Sequence, residues 1–195
     1  WCCQKCLPVH QYTQKNNPEK ECSNQLEQHS SKKHLIWYGS VTYLPQGGRE
    51  MVLSFVIIDL YSRKVISWDI SGKPDADLVI SVFKKGVPSV MHPMALCFIL
   101  IVVSQYTAFA FRKLLDDLNV VQSFSKKGYP FDNAVTESFF KFLKKEKTNR
   151  RSYSSFQNLK ISIFEYIEGF YNSKRPHGTI GNLTPNAMEQ AYIQG

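Results

Sequence analysis

The sequence predicts an α/β fold, a mixed five-stranded sheet with three antiparallel strands first and helices on its flanks. Three observations carry that expectation. Short apolar stretches with strand-like alternation occupy 34–44, 51–60 and 64–70, separated by turn residues. A continuous apolar run of nine residues follows at 95–103. It is too short for a bilayer span of about 20 residues and suits a strand buried on both faces. From about residue 132 onward the periodicity turns helical.

Taken in order, residues 1–33 are polar and aperiodic, an expected poorly ordered lead-in. Cys3, Cys6, His10 and Cys22 offer a possible set of zinc ligands. No second tight ligand pair or hydrophobic frame accompanies them, so the adopted reading is a frayed segment with reduced thiols. The chain starts at Trp1 rather than Met, as expected of a fragment with a domain upstream. No stretch has the length of a membrane span or the pattern of a signal peptide.

The first strand is expected to end at the turn Pro45-Gln46-Gly47-Gly48, and Tyr61-Ser62-Arg63 to link the second and third strands tightly. Residues 74–85 read as a helix with Leu78, Val79, Val82 and Phe83 inward. The fourth strand is 96–103. A helix over 107–118 follows, with Phe109, Phe111, Leu114 and Leu115 inward, then a fifth strand at 120–124. Three further helices are expected over 132–147, 156–171 and 185–193. Phe139, Phe140, Phe142, Phe164, Tyr166 and Phe170 stand at helical spacing and are assigned to the core. Residues 34–150 form the central unit and 151–195 a helical extension of it. This element order is that of an RNase H-like fold. The net charge of +8 favours a polyanionic partner.

Two blocks are more specific: SFSKKGYPFDNAVTESFFKFLKKE (123–146) and EYIEGFYNSKRPHGTIGNLTPNAMEQAY (165–192). With IWYGSVTYLP, VIIDLYSRKVISW and SQYTAFAFRKLL ahead of them in order, the chain from about Ile36 onward resembles bacterial insertion-sequence transposases of the IS-three group, the OrfB-type catalytic subunit. That family carries a retroviral-integrase-like core. The resemblance implies a DNA strand-transferase in which two Asp and one Glu hold Mg²⁺ (or Mn²⁺) for in-line phosphoryl displacement. It also implies element-end and target DNA as partners, self-association, an upstream helix-turn-helix subunit or domain, no membrane, and a cytoplasmic, nucleoid-associated location in a bacterium.

Carried over residue by residue, the third carboxylate falls on Glu137. The family pattern W-x-G-D-V-T-Y meets Trp37 to Tyr43, so Ser40 stands where Asp is expected. The pattern F-H-S-D-R-G-S-Q-Y meets Phe98 to Tyr106, so Ile101 stands where the second Asp is expected. The interval is intact: 35 residues, 102 to 136, separate Ile101 from Glu137. Loss of several adjacent polar residues beside an undisturbed Ser104-Gln105-Tyr106 is best explained by a reading-frame slip. One base lost after Pro93 and one gained before Ser104 would turn the family's block into this apolar run. Glu137 alone is a weak metal ligand, and the expectation is a degenerate, catalytically inactive copy. Asp132 is not expected to substitute, since five helical residues put it about 140° around from Glu137. Asp59 is assigned to the turn after the second strand.

Lys141, Lys144 and Lys145 follow Glu137 at offsets of four, seven and eight, sharing its side of the helix. Lys126 and Lys127 precede that helix, and Arg150 and Arg151 follow it. Together they form a basic face expected to contact DNA phosphates. Gln105, Tyr106 and Asn133 resemble walls of the family's site. Arg175 and His177 are read either as DNA contacts or as packing and capping groups. The alternative function is a non-catalytic, DNA-binding or subunit-interfering remnant.

Overall fold

The computed structural model describes residues 35–47, 50–73, 76–89, 96–100, 108–124 and 134–194. Its sheet has the order β3-β2-β1-β4-β5. β1 (Leu35–Gly47), β2 (Glu50–Asp59) and β3 (Val65–Ser71) pair antiparallel. β4 (Leu96–Leu100) lies parallel to β1, and β5 (Val121–Phe124) parallel to β4. The mixed sheet with its antiparallel strands first is therefore present. β1 is central, which suits the parallel additions that follow, because each needs a helical crossover.

Alternation along the strands sends side chains to two separate cores. Trp37, Phe55, Ile57, Leu96 and Phe98 face α1 (Ala76–Gly86) and α2 (Ala108–Asp117). Leu44, Val52, Val56, Ile58 and Val65 face α3 (Ala134–Glu146) and α4 (Phe156–Tyr166). Helix α1 buries Leu78, Val79, Val82 and Phe83 as its spacing predicts, and α2 buries Phe111 and Leu115.

Two expectations need correction. Pro45 does not begin a turn: β1 continues through it, with Pro45 opposite Met51 and a register irregularity before Gly47 opposite Glu50. Among the described residues β4 covers β1 only from Leu35 to Gly39, so the missing N–H of Pro45 leaves no gap between two partner strands. Of the assigned core aromatics, Phe139, Phe140 and Tyr166 are buried, but Phe164 is 56% exposed and Phe170 41%. The cause at Phe170 is a π turn, Ile167–Tyr171, that continues α4. Asn172 N–H bonds to the Ile167 carbonyl at 2.9 Å, five residues back, so the phase slips by one residue. Ile167, Tyr171 and Asn172 turn inward and Phe170 turns out. Phe164 lies across the helix from the buried Leu159, Ser162 and Ile163.

Helix α4 starts where the sequence supplies a cap, with Ser155 Oγ accepting from Asn158 N–H at 3.1 Å. The chain closes with α5 (Pro185–Gln194), whose Tyr192 ring lies 5.3 Å from that of Tyr61.

Candidate functional site

Ser40 sits midway along β1, opposite Val56 of β2, and is 7% exposed. Gly39 and Leu100 are the last described β1–β4 pair, and Ser40 and Ile101 are their next neighbours in the chain. Ile101 itself lies outside the described residues, as do Gln105, Tyr106, Lys126, Lys127, Asp132, Asn133 and the cysteines and histidine of the lead-in. Tyr38, Ser40, Thr42 and Leu44 share one side of the strand. Leu44 belongs to the core formed with Phe139, Phe140 and Leu143 of α3. Ser40 is therefore on the α3 side of the sheet.

Glu137 lies in the first turn of α3, where a carboxylate is favoured by the helix dipole, and is exposed. Thr136, Phe139, Phe140 and Leu143 turn inward beside it. Seven residues on, Lys144 Nζ donates to Thr42 Oγ1 at 2.8 Å. Past the end of α3, Tyr153 N–H bonds to the Gln46 carbonyl at 2.8 Å. The chain thus moves along β1 in the strand's own direction as it leaves α3, which places the Glu137 end toward Ser40. Ser40 and Glu137, the two described positions of the carried-over triad, thus belong to β1 and to the helix that covers its side of the sheet.

The rest of the basic face divides. Lys141, Lys145, Arg150 and Arg151 are exposed. Arg150 Nε donates to the Lys145 carbonyl at 3.0 Å, which folds its head back over the helix end. Lys144 is half-buried, and desolvation lowers its pKa. Arg175 has intramolecular partners: its guanidinium is 3.3 Å from Glu146 Oε1 and 3.9 Å from the centre of the Phe142 ring. His177 stands edge-on to Tyr171, with centroids 4.8 Å apart. Burial, with Arg175 and Arg63 nearby, pushes its pKa down to about 4, so the imidazole is neutral.

Asp59 behaves as a turn residue. Its Oδ2 accepts from Ser62 N–H at 2.8 Å and Ser62 Oγ at 2.6 Å, and burial raises its pKa despite those bonds. It pairs with Trp37, three residues back along β1 from Ser40. Arg63 beside it takes a left-handed φ of 64°, which closes the turn. Among the described residues no group of three His, Cys, Asp or Glu side chains stands together as a metal site would need.

Sequence reasoning missed Asn172 and Thr42. Asn172 is 1% exposed; its Oδ1 accepts from Val65 N–H at 3.0 Å and its Nδ2 donates to Val65 O at 3.1 Å. The carboxamide thereby pairs the backbone at the start of edge strand β3. The available signal was a lone Asn at the end of an apolar helical run.

Two models described as integrase core domain match this chain, over residues 30–130 and 118–185. The chain is 33% identical over 155 residues to the transposase for insertion sequence element IS904 of Lactococcus lactis subsp. lactis (strain IL1403). That match covers 80% of this chain and 61% of the relative. A 91-residue stretch, 47% of the chain, is 53% identical to 29% of a Lactococcus lactis subsp. lactis protein named ATP-dependent protease. The chain thus spans 29% of the one relative and 61% of the other. The HTLV-2 integrase catalytic core domain in complex with magnesium (trimeric form) superposes with a TM-score of 0.59 at 15% identity, covering 80% of this chain and 95% of that one. The resemblance to insertion-sequence transposases and the RNase H-like fold class are both met. No helix among the described residues is long and apolar enough to cross a membrane.

Proposed function

The chain belongs to the integrase core domain family, and we propose that it is the catalytic core of an insertion-sequence transposase in a copy that no longer cuts and joins DNA. The observation that carries this reading is Ser40: buried mid-strand on the side of the sheet that α3 covers, where a carboxylate would face the site. In-line phosphoryl displacement by the two-metal route needs several hard, anionic oxygens converging on the metal ions. Ser40 offers a neutral hydroxyl, Ile101 offers no donor, and Glu137 is a single carboxylate. These residues do not fit Mg²⁺ or Mn²⁺, and no catalytic step is assigned to them. Asp59 is assigned to the turn after β2, where its Oδ2 accepts from Ser62, and its buried Oδ1 has no hydrogen-bond partner among the described residues.

DNA remains the partner this reading supports. The exposed Lys141, Lys145, Arg150 and Arg151 project near the Glu137 helix, and the net charge is +8. Phosphate contacts of this kind are sequence-independent and weaken with salt. Lys126, Lys127, Gln105, Tyr106 and Asn133 belong to the same proposed surface by sequence. Arg175 and His177 contribute to it by holding the helices that carry it. Self-association, an upstream helix-turn-helix unit and a cytoplasmic, nucleoid-associated location complete the proposal.

The test pairs two assays on element-end DNA. With Mg²⁺ or Mn²⁺, strand cleavage and joining are expected to stay at background; product above background would overturn the inactive reading. Duplex binding is expected to fall steeply with salt, and affinity indifferent to salt would remove the phosphate face. Resequencing the coding DNA between the Ser40 and Ser104 codons is expected to show both compensating single-base shifts.

A further inference from the structure

We propose that α5 is a strap that a polyanion opens: Glu189 holds Lys64 of the β2–β3 turn in the place of a phosphate or sulfate group, and a polyanion that takes Lys64 lifts the end of the helix off the turn. The strap shares with the DNA-binding reading only the class of partner.

The start of α5 is anchored. Pro185 is buried, Asn186 N–H bonds to the Asn172 carbonyl at 3.0 Å, and Thr184 Oγ1 accepts from Ala187 N–H at 3.2 Å. Asn172 is itself held on Val65. The far end differs. Gln190 to Gln194 are all exposed, Ile193 at 70%. This half meets the turn through surface groups: Lys64 Nζ lies 2.6 Å from Glu189 Oε2, and the Tyr192 ring lies against that of Tyr61. Both members of the ion pair reach solvent, with 27% and 35% of their side chains exposed. A pair of this kind adds little stability and is open to competition from other ions. A helix of ten residues is marginal by itself, so α5 frays from its exposed end once the pair is broken.

Charge decides what breaks the pair. Glu189 is the one charged residue of α5. The turn beneath it carries two adjacent cations, Lys64 and the half-buried Arg63, whose Nε has no hydrogen-bond partner among the described residues. Lys174, two residues past Asn172, is exposed. The turn also holds an acid: burial first, and the charge of Glu189 as a lesser cause, raise the carboxyl of Asp59. Glu189 therefore has an attractive neighbour in Lys64 and a repulsive one in Asp59. A polyanion on Lys64 cancels the attraction and adds a second repulsion, which shifts α5 toward its open form.

The experiment is amide hydrogen exchange of the full chain, read by segment at low salt with and without heparin, for the unaltered chain, Lys64→Met and Glu189→Gln. Heparin is expected to speed exchange over residues 189–194 by about two- to five-fold, the weight of one exposed ion pair, while β2 and α4 keep their rates. Each variant is expected to show that faster exchange without heparin and to gain nothing further when heparin is added. The proposal is overturned if heparin leaves 189–194 unchanged in the unaltered chain, or if β2 and α4 speed up equally. It is also overturned if Lys64→Met responds to heparin as the unaltered chain does. Failure of duplex DNA to bind would sink the DNA-binding reading alone, because heparin judges the strap without DNA.

Discussion

Under α1 and α2 the sheet buries a set of hydrocarbon and aromatic side chains with little chemistry among them. The Phe83 ring stands edge-on to Trp37, Phe98 and Phe111, with centroids 5.0 to 6.4 Å apart. Under α3 and α4 the sheet is equally well filled, yet Ser40, Thr42 and Ser54 lie on that side, with Lys144 and Asn172 bonded into it. A core needs no such groups, since burying a polar atom costs free energy unless it is paired. The α1 side also has a buried hydroxyl, Ser67, which donates to the Val82 carbonyl at 2.8 Å and ties strand to helix; the polar groups under α3 and α4 are the more varied, and the proposed site lies on their side. Both faces keep the fold, and the proposed function assigns the site to the second.

Substitutions can break that division, beginning with the largest expected effect. Phe83→Ala is expected to lower stability by about 3–5 kcal/mol in urea unfolding, while the folded fraction keeps its DNA affinity. A change in affinity well beyond the change in folded fraction would tie the first face to function. Asn172→Ala should cost about 2–3 kcal/mol, because it strands a buried N–H and C=O of Val65. Hydrogen exchange at the Val65 amide would then accelerate; an unchanged rate would mean the carboxamide is not what protects that strand end.

His177 gives the next effect, through pH. Its folded pKa is about 4 against an ordinary 6.5, so between those values the unfolded chain binds the proton that the folded chain refuses. Its contribution is complete above pH 6.5 and is lost as pH falls from 6.5 through 4. For a ring this open to solvent the loss is about 1–2 kcal/mol after screening. Asp59, whose carboxyl is raised by burial, acts in the opposite sense, so the comparison is made against His177→Phe. The variant is expected to show a flatter urea midpoint between pH 7 and pH 5. Equal slopes would show that the imidazole is free to charge in the folded protein.

The smallest stability effect belongs to the outward row. Lys141→Met should move stability by no more than about 0.5 kcal/mol, yet reduce the salt slope of duplex binding by about 0.9. A slope equal to that of the unaltered chain would remove Lys141 from the phosphate surface.

The elements were largely legible because short-range patterning sets them. Leu78, Val79, Val82 and Phe83 announce one helix face, and the Tyr61-Ser62-Arg63 link with Asp59 beside it is local chemistry. The position of Glu137 at the start of its helix was legible from the block around it. What failed to show was longer-range or phase-dependent. Phe170 reads as core on a 3.6-residue period, and one π turn rotates it out. Pro45 reads as a turn residue, and only the limited reach of β4 along β1 lets the strand run through it. Lys144 reads like Lys141 and Lys145, because a sequence of lysines does not say which one has a threonine beneath it.

The sequence by itself determined the family and the order of strands and helices, and it carries the proposal that Ser40, Ile101 and Glu137 stand at the family's carboxylate positions. Those are matters of covalent order and local periodicity. Only the tertiary structure decided that Thr42 would meet Lys144, that Asn172 would pair the edge of β3, and that Arg175 would lie over Phe142 beside Glu146. Each of these joins residues far apart in the chain, and their geometry exists only once two layers have packed. Hydrogen bonds and ion pairs depend on tenths of an ångström, whereas hydrophobic patterning specifies only which face turns inward.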